Sequence, residues 1–179
     1  SSVTSMAWMF KGSKFNQPLD SWDVGSVEYM NRMFADSSFN HPLNSWDVSS
    51  VVNMSRMFES SEFNQPLNSW DVSNVKDMEG MFKNTVFNHP LEGWNVSNVK
   101  IMKKMFKSSL FNHPLDSWNI KRVEDMTEMF AYSSFNQPLY SWVENERVVN
   151  RDMFFRSRYS YPITHFLYKG YGVQYLIGD

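Results

Sequence analysis

Apolar residues fall on columns 24 positions apart along most of the chain. One copy of the pattern runs over residues 63–82, Phe-Asn-Gln-Pro-Leu-Asn-Ser-Trp-Asp-Val-Ser-Asn-Val-Lys-Asp-Met-Glu-Gly-Met-Phe. Within it, Ser69-Trp70-Asp71-Val72 alternates polar and apolar, which predicts a short strand with one buried face. A segment that short must pair with its equivalents in adjacent units, at about 4.8 Å spacing. Val75, Met78, Met81 and Phe82 follow at i, i+3, i+6 and i+7, which predicts the buried stripe of a helix of about three turns. Ser73-Asn74 supplies an N-cap, and Asp77 suits the first helical turn. Pro66 fixes φ and has no amide to donate, so Phe63 to Leu67 reads as the irregular corner before the strand.

The columns are strict. Every proline lies on one of them, from Pro18 and Pro42 to Pro138 and Pro162, and all 13 methionines lie on two. Trp22, Trp46, Trp70, Trp94, Trp118 and Trp142 form another, expected to be structural core. A period in the twenties is the range of leucine-rich repeats. The predicted fold is therefore an α/β repeat solenoid, a leucine-rich-repeat-like right-handed coil. Each 24-residue unit gives one short parallel strand and one short helix, with strands on one face and helices on the other. Residues 1–142 form the repeat solenoid of about six units, a rod on the order of 30 Å long.

Residues 143–179 read as a degenerate repeat and C-terminal cap. Glu144, Arg147 and Asn150 break the apolar columns, yet Met153-Phe154 and Tyr159 to Ile163 keep register. Phe166 stands where the next tryptophan would, and Leu167 to Asp179, with Tyr168, Tyr171 and Tyr175, fits no column. The first residues align with Gly25-Ser26-Val27, so the chain opens in mid-repeat, as expected of a fragment whose signal or anchor lies elsewhere.

Composition narrows function mainly by exclusion. With 17 Lys+Arg against 19 Asp+Glu there is no global basic footprint for nucleic acid. Cysteine is absent, which removes disulfides, thiolate nucleophiles and cysteine-based zinc sites. No apolar run approaches the roughly 18 residues of a membrane span.

With these columns in hand, the chain resembles the BspA-like leucine-rich-repeat surface proteins, whose repeat reads Phe-Asn-Gln-Pro-Leu-x-x-Trp-Asp-Val-Ser-x-Val-x-x-Met-x-x-Met-Phe. The match is strict from Val3 to Trp142, loose to Phe166 and absent beyond. The resemblance implies a non-enzymatic repeat domain with no cofactor, displayed on a cell surface or secreted. Related arrays occur in large DNA viruses, which makes a virion or host cytoplasm the alternative location. It also implies adhesion, through a protein or glycan partner. The runner-up function is a structural building block that self-associates end to end in a surface or virion assembly.

The polar columns are candidate sites, each with a plainer explanation. The column Asn16, Asn40, Asn64, Asn88, Asn112 and Asn136 suits backbone groups left unpaired at the proline corner, and its neighbours in the stack. Asp23, Asp47 and Asp71, followed by Asn95 and Asn119, suit Asx turns better than calcium, since the charge lapses in two units. His41, His89 and His113 alternate with Gln17, Gln65 and Gln137, the mark of a shared donor–acceptor role. No triad-like order recurs, so no catalytic residue and no metal site is assigned. The varying positions are the candidates for partner binding. They comprise a basic run at Lys100, Lys103, Lys104 and Lys107, partly neutralised by Glu124, Asp125 and Glu128, and Arg156, Arg158 and Tyr161 beside Arg147, Arg151, Phe155 and Tyr159.

Overall fold

Every amide from Met78 to Asn84 has a hydrogen-bond acceptor, and none is the i−4 carbonyl of a helix. The computed structural model describes residues 2–142 and 147–162. Met78, Gly80, Phe82 and Asn84 donate to Ile101, Lys103, Met105 and Lys107 of the following unit, at 2.8–2.9 Å. Between them, Met81 and Lys83 donate three residues back, to Met78 and Gly80, and Asp77 Oδ1 takes the Glu79 amide. The segment is a run of tight turns whose alternate amides reach the next unit. The same backbone bonds recur in the units from Met6 to Tyr132, and the side-chain bond recurs at Ser5, Asn53 and Asp125.

This overturns the α/β architecture expected from the sequence. Among the described residues there is no helix, and strand character is confined to isolated parallel bridges. Those bridges link Ser5, Tyr29, Asn53, Asp77, Ile101, Asp125 and Val149, the first turn of the expected helix. The predicted strand Ser69 to Val72 forms no backbone ladder. Its alternation of buried Trp70 and Val72 with exposed Asp71 is real, but the Trp70 amide closes a turn onto Leu67 and Asp71 accepts the Ser73 amide. The right-handed crossover argued from a strand and a helix lapses with them.

The helix expectation failed because a three-residue recurrence of turns buries the same positions as a helical stripe. What separates the two is φ. Gly80 stands at +57° in the third position of the Met78–Met81 turn, and Asn84 at +55° in the next turn, the requirement of a type II turn. Elsewhere these two positions hold Trp8, Arg32, Arg56, Lys104, Glu128 and Asp152, and Asp36, Ser60, Ser108, Tyr132 and Arg156, all at positive φ. Left-handed backbone costs an L-residue on the order of 1 kcal/mol or more. The bonds to the next unit hold it there.

The core runs through the stack as aromatic files. Phe10, Phe34, Phe58, Phe82, Phe106, Phe130 and Phe154 stack with centroids 5.5–5.8 Å apart and rings within 11° of parallel. A second file of Phe39, Phe63, Phe87, Phe111, Phe135 and Tyr159 lies against it, each ring 4.0–4.3 Å from its partner in the first. Each such pair adds about 0.5–1.5 kcal/mol beyond its burial. Burial, with Tyr140, Asp116 and Tyr161 adding to it, pushes the Tyr159 phenol up to about 12.

Of the tryptophans expected in the core, Trp46, Trp70, Trp94, Trp118 and Trp142 are buried. Trp22 is not; it is 39% exposed. The buried indoles each reach a leucine carbonyl 27 residues earlier, Trp70 Nε1 to Leu43 at 2.9 Å for example, and for Trp22 that position would precede Ser1. The register of the array continues into the altered unit, through the Asp125–Val149 bridge and the Phe130–Phe154 and Phe135–Tyr159 stacks. The cap positions Phe166, Tyr168, Tyr171 and Tyr175, and Glu144, lie outside the described residues.

Candidate interaction surface

Most of the recurring polar side chains are occupied within the array. Asn40 Oδ1 accepts the Asn64 amide at 2.8 Å, and the relay repeats from Asn16 to Asn136, which accepts the Ser160 amide at 2.9 Å. His41, His89 and His113 each place Nε2 3.1 Å from an asparagine carbonyl of the preceding unit. Gln65 and Gln137 donate Nε2 to the same acceptor at 3.2 Å. A carbonyl only accepts, so the histidines carry the proton on Nε2 there, and glutamine replaces them because its amide reaches as far.

The acidic column forms Asx turns. Asp23, Asp47, Asp71, Asn95 and Asn119 each accept the amide two residues on, at 3.0–3.2 Å. Asp47 also takes the Ser49 hydroxyl at 2.6 Å, and that bond holds its carboxyl below the ordinary range. Among the described residues no three of His, Asp and Glu converge as metal ligands. No helix there is long and apolar enough to cross a membrane.

One recurring column was not recognised in the sequence. Ser37, Ser61, Thr85, Ser109 and Ser133 are buried just before the second phenylalanine file. Ser37, Ser61, Thr85 and Ser133 donate to the carbonyl three residues back, at 2.7–2.8 Å. Their 24-residue recurrence was the available signal.

Most of the positions that change from unit to unit lie on the turn side. Lys100 pairs with Glu124 at 2.9 Å, and Lys104 and Lys107 share Glu128 at 3.2 and 2.7 Å. The Lys107 hydrogen bond is the main reason the Glu128 carboxyl is held below its ordinary range. The expected neutralisation of the basic run thus comes from Glu124 and Glu128, while Asp125 instead accepts the Thr127 amide. Arg56 reaches Glu79 at 2.8 Å and Lys83 reaches Glu59 at 2.7 Å, both across the gap between units. Of these pairs only Lys100–Glu124 is exposed at both residues, and such a pair contributes roughly 0–1 kcal/mol; the others are partly buried between units.

Beyond Lys107 the surface turns aromatic. Lys107 Nζ lies 5.8 Å from the Tyr132 ring centre, and Tyr132 meets Phe155 edge-on at 5.4 Å. The Arg156 guanidinium lies 5.4 Å from the Phe155 ring. Tyr132 is 47% exposed, and Arg156 and Arg158 are exposed. The Arg158 amide donates to the carbonyl of Ser133, the residue that follows Tyr132. Tyr161 stands apart from this cluster, packed edge-on with Tyr140 at 6.2 Å and tilted against Tyr159. The structure therefore joins Lys107 and Arg156 of the expected partner-binding residues through aromatic contacts, and leaves Lys100 and Tyr161 elsewhere.

The model of the family described as Mycoplasma protein of unknown function, DUF285, matches residues 1–86 and 62–166. The chain belongs to that family. Two overlapping matches on one chain agree with the tandem repetition of the bonds and rings described above. No curated protein and no solved structure matches the chain.

Proposed function

We propose that the chain is a non-enzymatic interaction scaffold that presents a protein- or glycan-binding surface at the outside of a cell. One observation carries the proposal. The recurring polar side chains bond to their own stack, while the turn side carries a different set of residues in each unit. A catalytic site would call for a polar cluster aimed at a substrate; the histidines, asparagines and aspartates of the array aim at its own backbone. The likeness of the repeat to BspA-like surface proteins supports the location.

Fluorescently labelled protein added to cultured animal cells tests the proposal. Saturable binding that excess unlabelled protein displaces is the expected result. Binding that rises linearly without saturation, or none at micromolar protein, overturns it.

A further inference from the structure

We infer that the surface formed by Tyr132, Phe155, Arg156 and Arg158 is a binding site for an anionic oligosaccharide. The inference rests on the interaction-scaffold reading and gives it a ligand class.

Three features of this surface point to that class. The first is uncompensated charge. Lys107 is neutralised by Glu128, but among the described residues neither Arg156 nor Arg158 is in an ion pair. Guanidinium groups offer forked donors that match carboxylate and sulfate geometry. The second is the ring beside them. Tyr132 is nearly half exposed, and its ring is held by Phe155 on one side and Lys107 on another. A rigid, half-exposed ring next to a cation suits a pyranose, which stacks its apolar C–H face on the ring and offers its acid to the arginine.

The third feature weighs against a peptide. An extended peptide binds by adding to a free backbone edge. Here every amide from Met126 to Ser134 already donates, to the next unit, to its own turn, to Asp125 or to Ser109. Around Tyr132 no amide is left for backbone pairing, and recognition there falls to side chains.

The test uses the whole chain and four probes in calorimetric titration: a heparin octasaccharide (sulfated), a hyaluronate octasaccharide (carboxylate only), neutral maltooctaose and poly-glutamate. Binding of one or both acidic sugars, with maltooctaose and poly-glutamate silent, is the expected result. Which acidic sugar binds tells sulfate from carboxylate recognition. Arg156→Gln with Arg158→Gln should weaken that binding at least tenfold. Tyr132→Asn, a residue that tolerates the left-handed backbone, should weaken it several-fold with an unchanged melting temperature. Equal binding of poly-glutamate, no binding of either acidic sugar, or variants that bind like the parent overturn the site. If saturable cell binding persists in the arginine variant while the acidic sugars fail, the scaffold reading stands and this site falls. Loss of cell binding in the parent chain itself overturns both.

Discussion

The two sides of each unit hold their neighbours by different chemistry. From Phe63 to Val75 the links to the preceding unit run through side chains: the Trp70 indole, the Gln65 amide, Asn74, and the Asn40 oxygen that takes the Asn64 amide. From Lys76 to Asn84 they are mainly backbone bonds, with ion pairs laid over them. A side-chain link narrows the choice of residue, whereas a backbone link leaves it open. The letters that recur therefore belong mostly to the first side and to the core, and the turn side varies without loosening the stack.

The largest test of this contrast sits in the core of the side-chain-linked half. Trp70→Ala should cost about 3–5 kcal/mol in denaturant unfolding, from lost burial and a lost link to Leu43. Trp22→Ala should cost within about 1.5 kcal/mol, because that ring is partly exposed. Equal losses at the two sites would mean that tryptophans are not the links described. Next in size is Asn112→Ala. It removes the acceptor of the Asn136 amide, 2.7 Å away, and should cost about 1 kcal/mol at an exposed site. No change in unfolding midpoint would show that the asparagine relay is decorative.

The turn half should respond in the opposite direction. Ser108 stands at φ +55° and is exposed, so Ser108→Gly should stabilise by up to about 1 kcal/mol; a lower melting temperature would contradict the turn geometry. The smallest effect is at Asp77, whose carboxyl is raised above its ordinary value, chiefly by burial. A raised acid favours the folded state while protonated and loses that contribution as pH climbs from the ordinary aspartate range through the raised value. Asn53 makes the same turn bond without a charge. Asp77→Asn should therefore gain on the parent as pH rises through that window, and a pH-independent difference would remove burial as the cause.

Much of this was legible in the sequence, and the failures share a cause. Period and columns gave the register, the buried rings and the asparagine, histidine–glutamine and aspartate roles, because those follow from residue type and spacing alone. Val75, Met78, Met81 and Phe82 carried no information that separates a helix from successive turns, since both bury every third residue. Gly80 in mid-stripe was the one local warning, as glycine is costly inside a helix and free at positive φ. Lys104 and Glu128 at the equivalent position concealed it, because ordinary helix formers do not advertise a left-handed backbone. For the surface, opposite charges 24 residues apart, Lys100 with Glu124 and Lys104 with Glu128, were readable as pairs. The meeting of Tyr132 with Phe155 was not, because their spacing of 23 crosses two columns.

The division between side-chain and backbone links is tested most directly at the Gly80 amide. Nuclear magnetic resonance detects couplings across individual hydrogen bonds, and therefore names the acceptor. The structure predicts a coupling from the Gly80 amide to the Lys103 carbonyl of the next unit. A coupling to the Lys76 carbonyl, four residues back, would restore the helix and contradict this description of the repeat.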